Sequence, residues 1–204
     1  MNLSAREYIT REVITFAKTD GKFGALSNMA PGHNLFVNEI NIRSSEILYQ
    51  ACRFPLFPQI QQEIIDVKSP MDAKKISRHY ISYSRQDWDS VKFKVMKWCL
   101  EVKLIQNFSS FSELLISTGD KAIVEYSAKD SLWGANPKSQ DTLVGVNALG
   151  RLLMELREKI KVGNLTPNTV IAPVNIPAFS LFDKRITDVY NQEYFIRDLD
   201  EIYA

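Results

Sequence analysis

The residues whose types and spacing suggest chemistry are carboxylates. Glu46 stands in SSEILYQ, and Glu125 and Asp130 stand in VEYSAKDSLWG, beside aromatic residues and a glycine. Two acids can divide the work of breaking a glycosidic bond: one assists the leaving group, and the other stabilises the cationic sugar or activates water. Each acid also has a plainer reading. An acid in the first turn of a helix stabilises it by ~0.3 to 1 kcal/mol through the helix dipole, and Glu125 is most simply a strand-end residue. Other chemistries lack their residues. There is no glycine-rich phosphate loop, no nucleophile elbow and no paired Cys/His spacing. His33 and His79 are too few for a histidine-based metal site and read as surface or capping residues. No metal and no cofactor is therefore expected.

These acids need elements to hold them. Glu12 to Phe16 (EVITF) reads as a strand, and Leu35 to Ile42 (LFVNEINI) as a hairpin turning at Asn38-Glu39. Ser44 or Ser45 is a candidate N-cap, after which Ile47, Leu48, Ala51 and Cys52 recur at helical spacing until Pro55 and Pro58 interrupt the pattern. Glu46 thus falls in a first helical turn. Ser69, Pro70 and Asp72 open a helix toward Tyr80 with a basic exposed face. From Asp87, the residues Val91, Val95, Trp98, Val102 and Ile105 form the clearest amphipathic helix. Ser110 with Glu113 resembles a capping box for a helix that Gly119 stops. A strand AIVEY follows, then a polar, turn-rich stretch from Tyr126 to Val144, where functional loops are often found. A last long helix spans roughly Val144 to Ile160. From Val162 onward the chain reads as an appended arm.

The whole-chain quantities narrow the class. A chain of 204 residues that is 45% hydrophobic can bury one substantial core. A formal net charge of +1 provides no global field for long duplex DNA, so nucleic-acid contacts must be local. Cys52 and Cys99 lie within amphipathic segments and read as buried free thiols of a reducing compartment. The N-terminus has no secretory pattern and no run reaches the ~18 apolar residues of a membrane span. A cytoplasmic protein without membrane association is expected.

The segments LSNMAP, SSEILYQACRF, PMDAKK, DWDSVKFKVM, LLISTGDKAIVEYSAKDSLWG and GVNALGRLLMELR occur in an order that resembles the NADAR, or YbiA-like, family, across about Phe16 to Lys159. The resemblance implies an α+β fold: a single, predominantly helical domain with a small antiparallel sheet over residues 1–160, with residues 161–204 as an arm packing on it. It further implies hydrolysis of N-glycosidic bonds, on phosphorylated intermediates of riboflavin synthesis in some members and on ADP-ribosylated guanine in others. The latter are similar to antitoxins that reverse a DNA-modifying ADP-ribosyltransferase. Family positions fall on Glu46 and Asp130 as catalytic acids, and on Trp88 as a stacking residue that is otherwise the core-facing start of its helix. Trp133 and Gly134 follow in the same loop as Asp130, Trp133 offering a second stacking face. Asn147 is assigned a hydrogen bond to ribose or base, the alternative being a solvent-facing amide within the helix. Lys74 and Lys75, and more weakly Asn28 and Arg43, are candidates for a phosphate-bearing substrate. Many relatives carry histidine where Ile47 stands here, which sets this chain's substrate contacts apart. The expected partner is ADP-ribosylated guanine in single-stranded DNA or a nucleotide, with a cognate ADP-ribosyltransferase toxin as functional counterpart. Riboflavin-pathway hydrolysis and silent ADP-ribose binding are the alternatives.

Overall fold

In a computed structural model the described residues are 4–192. In chain order the elements are β1 (Arg6–Ile9), β2 (Ile14–Phe16), β3 (Leu35–Val37), β4 (Ile40–Ile42), α1 (Ser45–Ala51), α2 (Pro58–Asp66), α3 (Pro70–His79), α4 (Trp88–Gln106), α5 (Phe108–Ser117), β5 (Ile123–Glu125), β6 (Asn136–Ser139), β7 (Thr142–Gly145), α6 (Ala148–Lys161), β8 (Ser180–Leu181) and β9 (Lys184–Arg185). The fold is α+β and mainly helical. The chain divides into two compact units, one built from residues up to Ala30 together with Ser109–Leu165, the other from Pro31–Phe108 together with the residues from Thr166.

In the first unit, β1, β7 and β6 form an antiparallel sheet in that order, with Tyr8 opposite Leu143. β2 and β5 pair in parallel, Thr15 opposite Val124. Tyr8, Val124, Ala135 and Leu143 form a small apolar cluster among these strands. α6 packs on β5, and its approach is close: a Cβ on Gly150 would lie 2.1 Å from the Ile123 carbonyl oxygen.

The second unit is built around α1, every residue of which is buried. It packs against α2, α3 and α4. Ser44 caps its start, with its hydroxyl accepting from the Ile47 N–H at 3.3 Å. The β3–β4 hairpin turns at Asn38 and Glu39, both at positive φ (50° and 65°), as the two central residues of its tight turn require. The arm is tied to this unit by Gln61, which is fully buried. Its amide donates to the Ala51 and Ser180 carbonyls and accepts from the Phe182 N–H. Cutting such a buried amide away leaves three backbone groups short of a partner, which is why the arm's attachment is specific.

Several expectations are corrected. α2 begins at Pro58, which the spacing alone reads as an interruption; proline here occupies the first helical turn, where its missing N–H costs nothing. β1 was not foreseen, and the stretch read as a polar loop contains the β6–β7 hairpin, whose strand NPKS has no apolar alternation and is held by pairing with β7. α6 starts at Ala148 rather than Val144, because Asn147 adopts left-handed backbone (φ 53°) and breaks the helix there. α5 starts at Phe108, two residues before the expected cap at Ser110. His33, expected at the surface, is buried.

Candidate active site

In the second unit Glu46 occupies the first turn of α1 yet is only 3% exposed. An acid serving the helix dipole has no need to leave water, whereas a buried carboxylate is costly unless it is held by hydrogen bonds. Gln50, one turn on and also buried, donates its Nε2–H to Glu46 Oε1 at 2.7 Å. This aims the carboxylate and limits its rotation. Cys52 and Cys99 are buried and free, and burial, then the neighbouring Cys52 thiol, then the charge of Glu46 push the Cys99 thiol well above its usual range. The Cys99 thiol is therefore a poor nucleophile.

Trp88, the first residue of α4, is buried. The Tyr49 ring lies 5.0 Å from it, tilted by 46°, and the Arg53 guanidinium carbon lies 5.4 Å from its ring centroid. Glu46, Tyr49, Gln50 and Arg53 recur at helical spacing, which makes one functional stripe of α1 and its C-terminal turn. Of the basic candidates in this unit, Arg43 donates to the Asp66 and Val67 carbonyls at the end of α2. Lys75 pairs with Asp72 at 2.8 Å. Lys74 is partly buried on α3.

A residue that the sequence reading passed over is Lys103. It sits inside the apolar run of α4, is 1% exposed, and burial lowers its amine from 10.5 to about 7. Its charge, after burial itself, also holds the His33 imidazole below its ordinary value. A buried amine near pKa 7 carries a proton or a free lone pair with similar ease at neutral pH, so it can donate, accept or attack. The signal was present in the sequence as a lysine set between Val102 and Leu104, on a helix read as structural.

In the first unit Asp130 lies in the loop between β5 and β6. Its Oδ1 accepts from the Leu132 and Trp133 N–H groups at 3.0 and 2.9 Å. Its own N–H donates to Ser127 Oγ at 3.0 Å. The loop in turn caps α6: the Ala148 and Leu149 N–H groups donate to the Leu132 and Trp133 carbonyls, and that of Asn147 to Gly134. Four backbone donors that a helix start leaves open are thereby partly satisfied by the loop itself. Gly134 is required, since a Cβ there would lie 2.6 Å from the Glu125 carbonyl oxygen. Asn147 is completely buried. Its Nδ2–H donates to the Ile123 carbonyl at 2.8 Å and its Oδ1 accepts from the Glu125 N–H at 3.1 Å, so the amide is engaged by the backbone of β5. Trp133 is partly buried beside it in sequence, and Asn28 is buried in the segment after Leu26. The structure thus groups Glu46, Trp88 and the lysine and Arg43 candidates in one unit, and Asp130, Trp133, Gly134, Asn147 and Asn28 in the other. Among the described residues, no group of three or more His, Cys, Asp or Glu side chains could hold a metal ion. No helix among them is long and apolar enough to cross a membrane.

A helical α+β protein with a buried, hydrogen-bonded carboxylate on its central helix is the class that these features define. The chain belongs to the NADAR family: the NADAR domain matches residues 15–161. It is similar to a riboflavin biosynthesis protein of Vibrio vulnificus, 31% identical over 156 residues, covering 76% of this chain but only 41% of that protein. It is also similar to the N-glycosidase YbiA of Escherichia coli, 34% identical over 150 residues, covering 74% of this chain and 89% of the relative. The NMR structure of E. coli YbiA superimposes with a TM-score of 0.65 at 32% identity, over 77% of this chain and 89% of that one.

Proposed function

We propose that the chain is an N-glycosidase that hydrolyses the ribose–nitrogen bond of ADP-ribosylated guanine, in single-stranded DNA or as a nucleotide, and so reverses the work of a cognate ADP-ribosyltransferase toxin in the cytoplasm. The observation that carries the glycosidase reading is the burial of Glu46 in a first helical turn, with its carboxylate held by Gln50. As the anomeric carbon loses its nitrogen, positive charge spreads over that carbon and the ring oxygen. A fixed carboxylate stabilises this state far more than the neutral ground state. The bond's electron pair goes to the base nitrogen, which takes a proton; the oxygen of water bonds to the anomeric carbon and releases one. The sequence leaves open which acid handles the water; this reading gives it to Asp130, whose Oδ1 is occupied by two backbone donors while Oδ2 has no protein hydrogen bond among the described residues. Asn147 acts through the loop and strand it ties together.

A second reading is supported by the name of the Vibrio relative, a riboflavin biosynthesis protein: the substrate would then be a phosphorylated aminouracil riboside of that pathway. The chain covers less than half of that protein, so its pathway is carried over only as this reading. Both are decided by incubating the protein with ADP-ribosylated guanine DNA, ADP-ribosylated thymine DNA and the aminouracil ribose phosphate, and identifying the released base or sugar by mass. Release from the guanine substrate alone is the expected result; release from the aminouracil alone selects the second reading.

A further inference from the structure

We propose that Arg53 is the anion-binding residue of this site and receives the phosphate carried by the substrate's ribose, a role that rests on the glycosidase reading and that both substrate readings share. The cations first expected to do this are less suited. Arg43 is spent on two carbonyls at the end of α2, and Lys75 is paired with Asp72. Arg53 is built differently. Its Nε–H donates to Ser84 Oγ at 2.7 Å, and that hydroxyl is itself fixed by donating to the Ile81 carbonyl at 2.7 Å. The guanidinium carbon lies over the Trp88 ring at 5.4 Å, with Tyr49 on Trp88 at 5.0 Å. One edge and one face of the fork are thereby committed to the protein.

The opposite edge is not. Among the described residues, neither terminal nitrogen of Arg53 makes a protein hydrogen bond, and neither is buried. Among the described residues no carboxylate forms an ion pair with it. Asp89, whose charge influences it after burial and Tyr49, is bound to Lys92 at 2.7 Å and is 93% exposed. Asp87 is likewise occupied, by Arg85. A guanidinium that is pinned at Nε, stacked on an indole and open at its two outer nitrogens is preorganised for two parallel bonds to a phosphate. Partial burial, the first cause of its lowered pKa, makes the unaccompanied charge less comfortable, and an arriving anion relieves this. Glu46 and Arg53 are seven residues apart on one helical stripe, roughly 10 Å along the axis.

The test is isothermal titration of the full chain with ribose 5-phosphate and with ribose, for the wild type, Arg53→Gln, Arg53→Lys and Lys74→Ala. The wild type is expected to favour ribose 5-phosphate, and Arg53→Gln to weaken it by about tenfold to a hundredfold, as loss of a charged hydrogen-bonded contact predicts. Binding of ribose should not change. Arg53→Lys keeps the charge without the fork and should lie between; it decides the matter if the glutamine variant does not fold. Unchanged phosphate binding in Arg53→Gln, no phosphate preference in the wild type, or loss of that preference in Lys74→Ala while Arg53→Gln retains it would each overturn the assignment. These results are independent of turnover: a phosphate preference set by Arg53 with no base released from any substrate would remove the glycosidase reading and leave this one standing.

Discussion

Glu46 joins two properties that seldom coincide, a position where an acid is ordinarily a solvated dipole partner and an environment where an acid is expensive. Replacing it with glutamine keeps the shape and removes the charge. Glu46→Gln is therefore expected to retain folding and substrate affinity while turnover falls by orders of magnitude, since only the transition state loses its counter-charge. Steady-state kinetics check this; an unchanged turnover number would refute it. Asp130→Asn should behave similarly, and the double variant should be scarcely worse than either single one, because residues that act as one constellation do not add. Lys103 makes a separate prediction through pH. Its amine titrates at about 7 in the folded chain against 10.5 ordinarily, so between those values the unfolded chain holds a proton that the folded chain does not. Stability contributed by this group therefore rises with pH across that window, and below it the full burial penalty is felt. Lys103→Met should accordingly be more stable than the wild type at pH 6, by an amount on the order of a few kcal/mol, with the gain shrinking toward pH 10. Urea denaturation across pH measures this, and a gain independent of pH would contradict the depressed pKa.

At the scale of elements, the motif GVNALG does its work by close approach. Gly145 faces the Gly134 carbonyl, where a Cβ would lie 2.4 Å away; Asn147 takes left-handed backbone; and Gly150 admits the Ile123 carbonyl. Alanine in a helix interior normally stabilises relative to glycine by about 1 kcal/mol. At Gly150 the sign should reverse, because the new methyl meets backbone that cannot rotate away. Gly150→Ala is expected to cost about 1–3 kcal/mol or more in a thermal or denaturant melt, and a stabilised variant would show that α6 and β5 are looser than described. Elements announced by local chemistry were the ones that could be read in advance: the Ser44 cap, the Asn38-Glu39 turn, the Pro70 start of α3 and the apolar period of α4. Those held by distant partners could not. β6 has polar, exposed residues and exists because β7 pairs with it, and β7 in turn with β1, more than 130 residues away. Pro58 has two opposite meanings, a stop and a start, and spacing alone does not choose between them.

For the whole molecule, family membership and fold class were legible because several short motifs occur in a fixed order, while the site was legible only in part. Glu46 and Asp130 stand out in the sequence as carboxylates near aromatic residues and glycine. Lys103 and Arg53 do not stand out, because a cation inside an apolar stripe and one just past a helix end look incidental until burial and stacking are known. Asn147 is a ligand candidate in the sequence, and in the fold its amide is engaged by the backbone of β5. The net charge of +1 adds that the protein should recognise base and ribose rather than a long backbone. The most direct measurement is mass analysis of what the wild type and Glu46→Gln release from ADP-ribosylated guanine, offered as a mononucleotide and in a long strand. The account predicts ADP-ribose together with the unmodified guanine mononucleotide from one form and the restored strand from the other, at similar rates with the wild type, and almost none with Glu46→Gln. Equal release by the two proteins, or no release by the wild type from this substrate or from the aminouracil riboside, would contradict it.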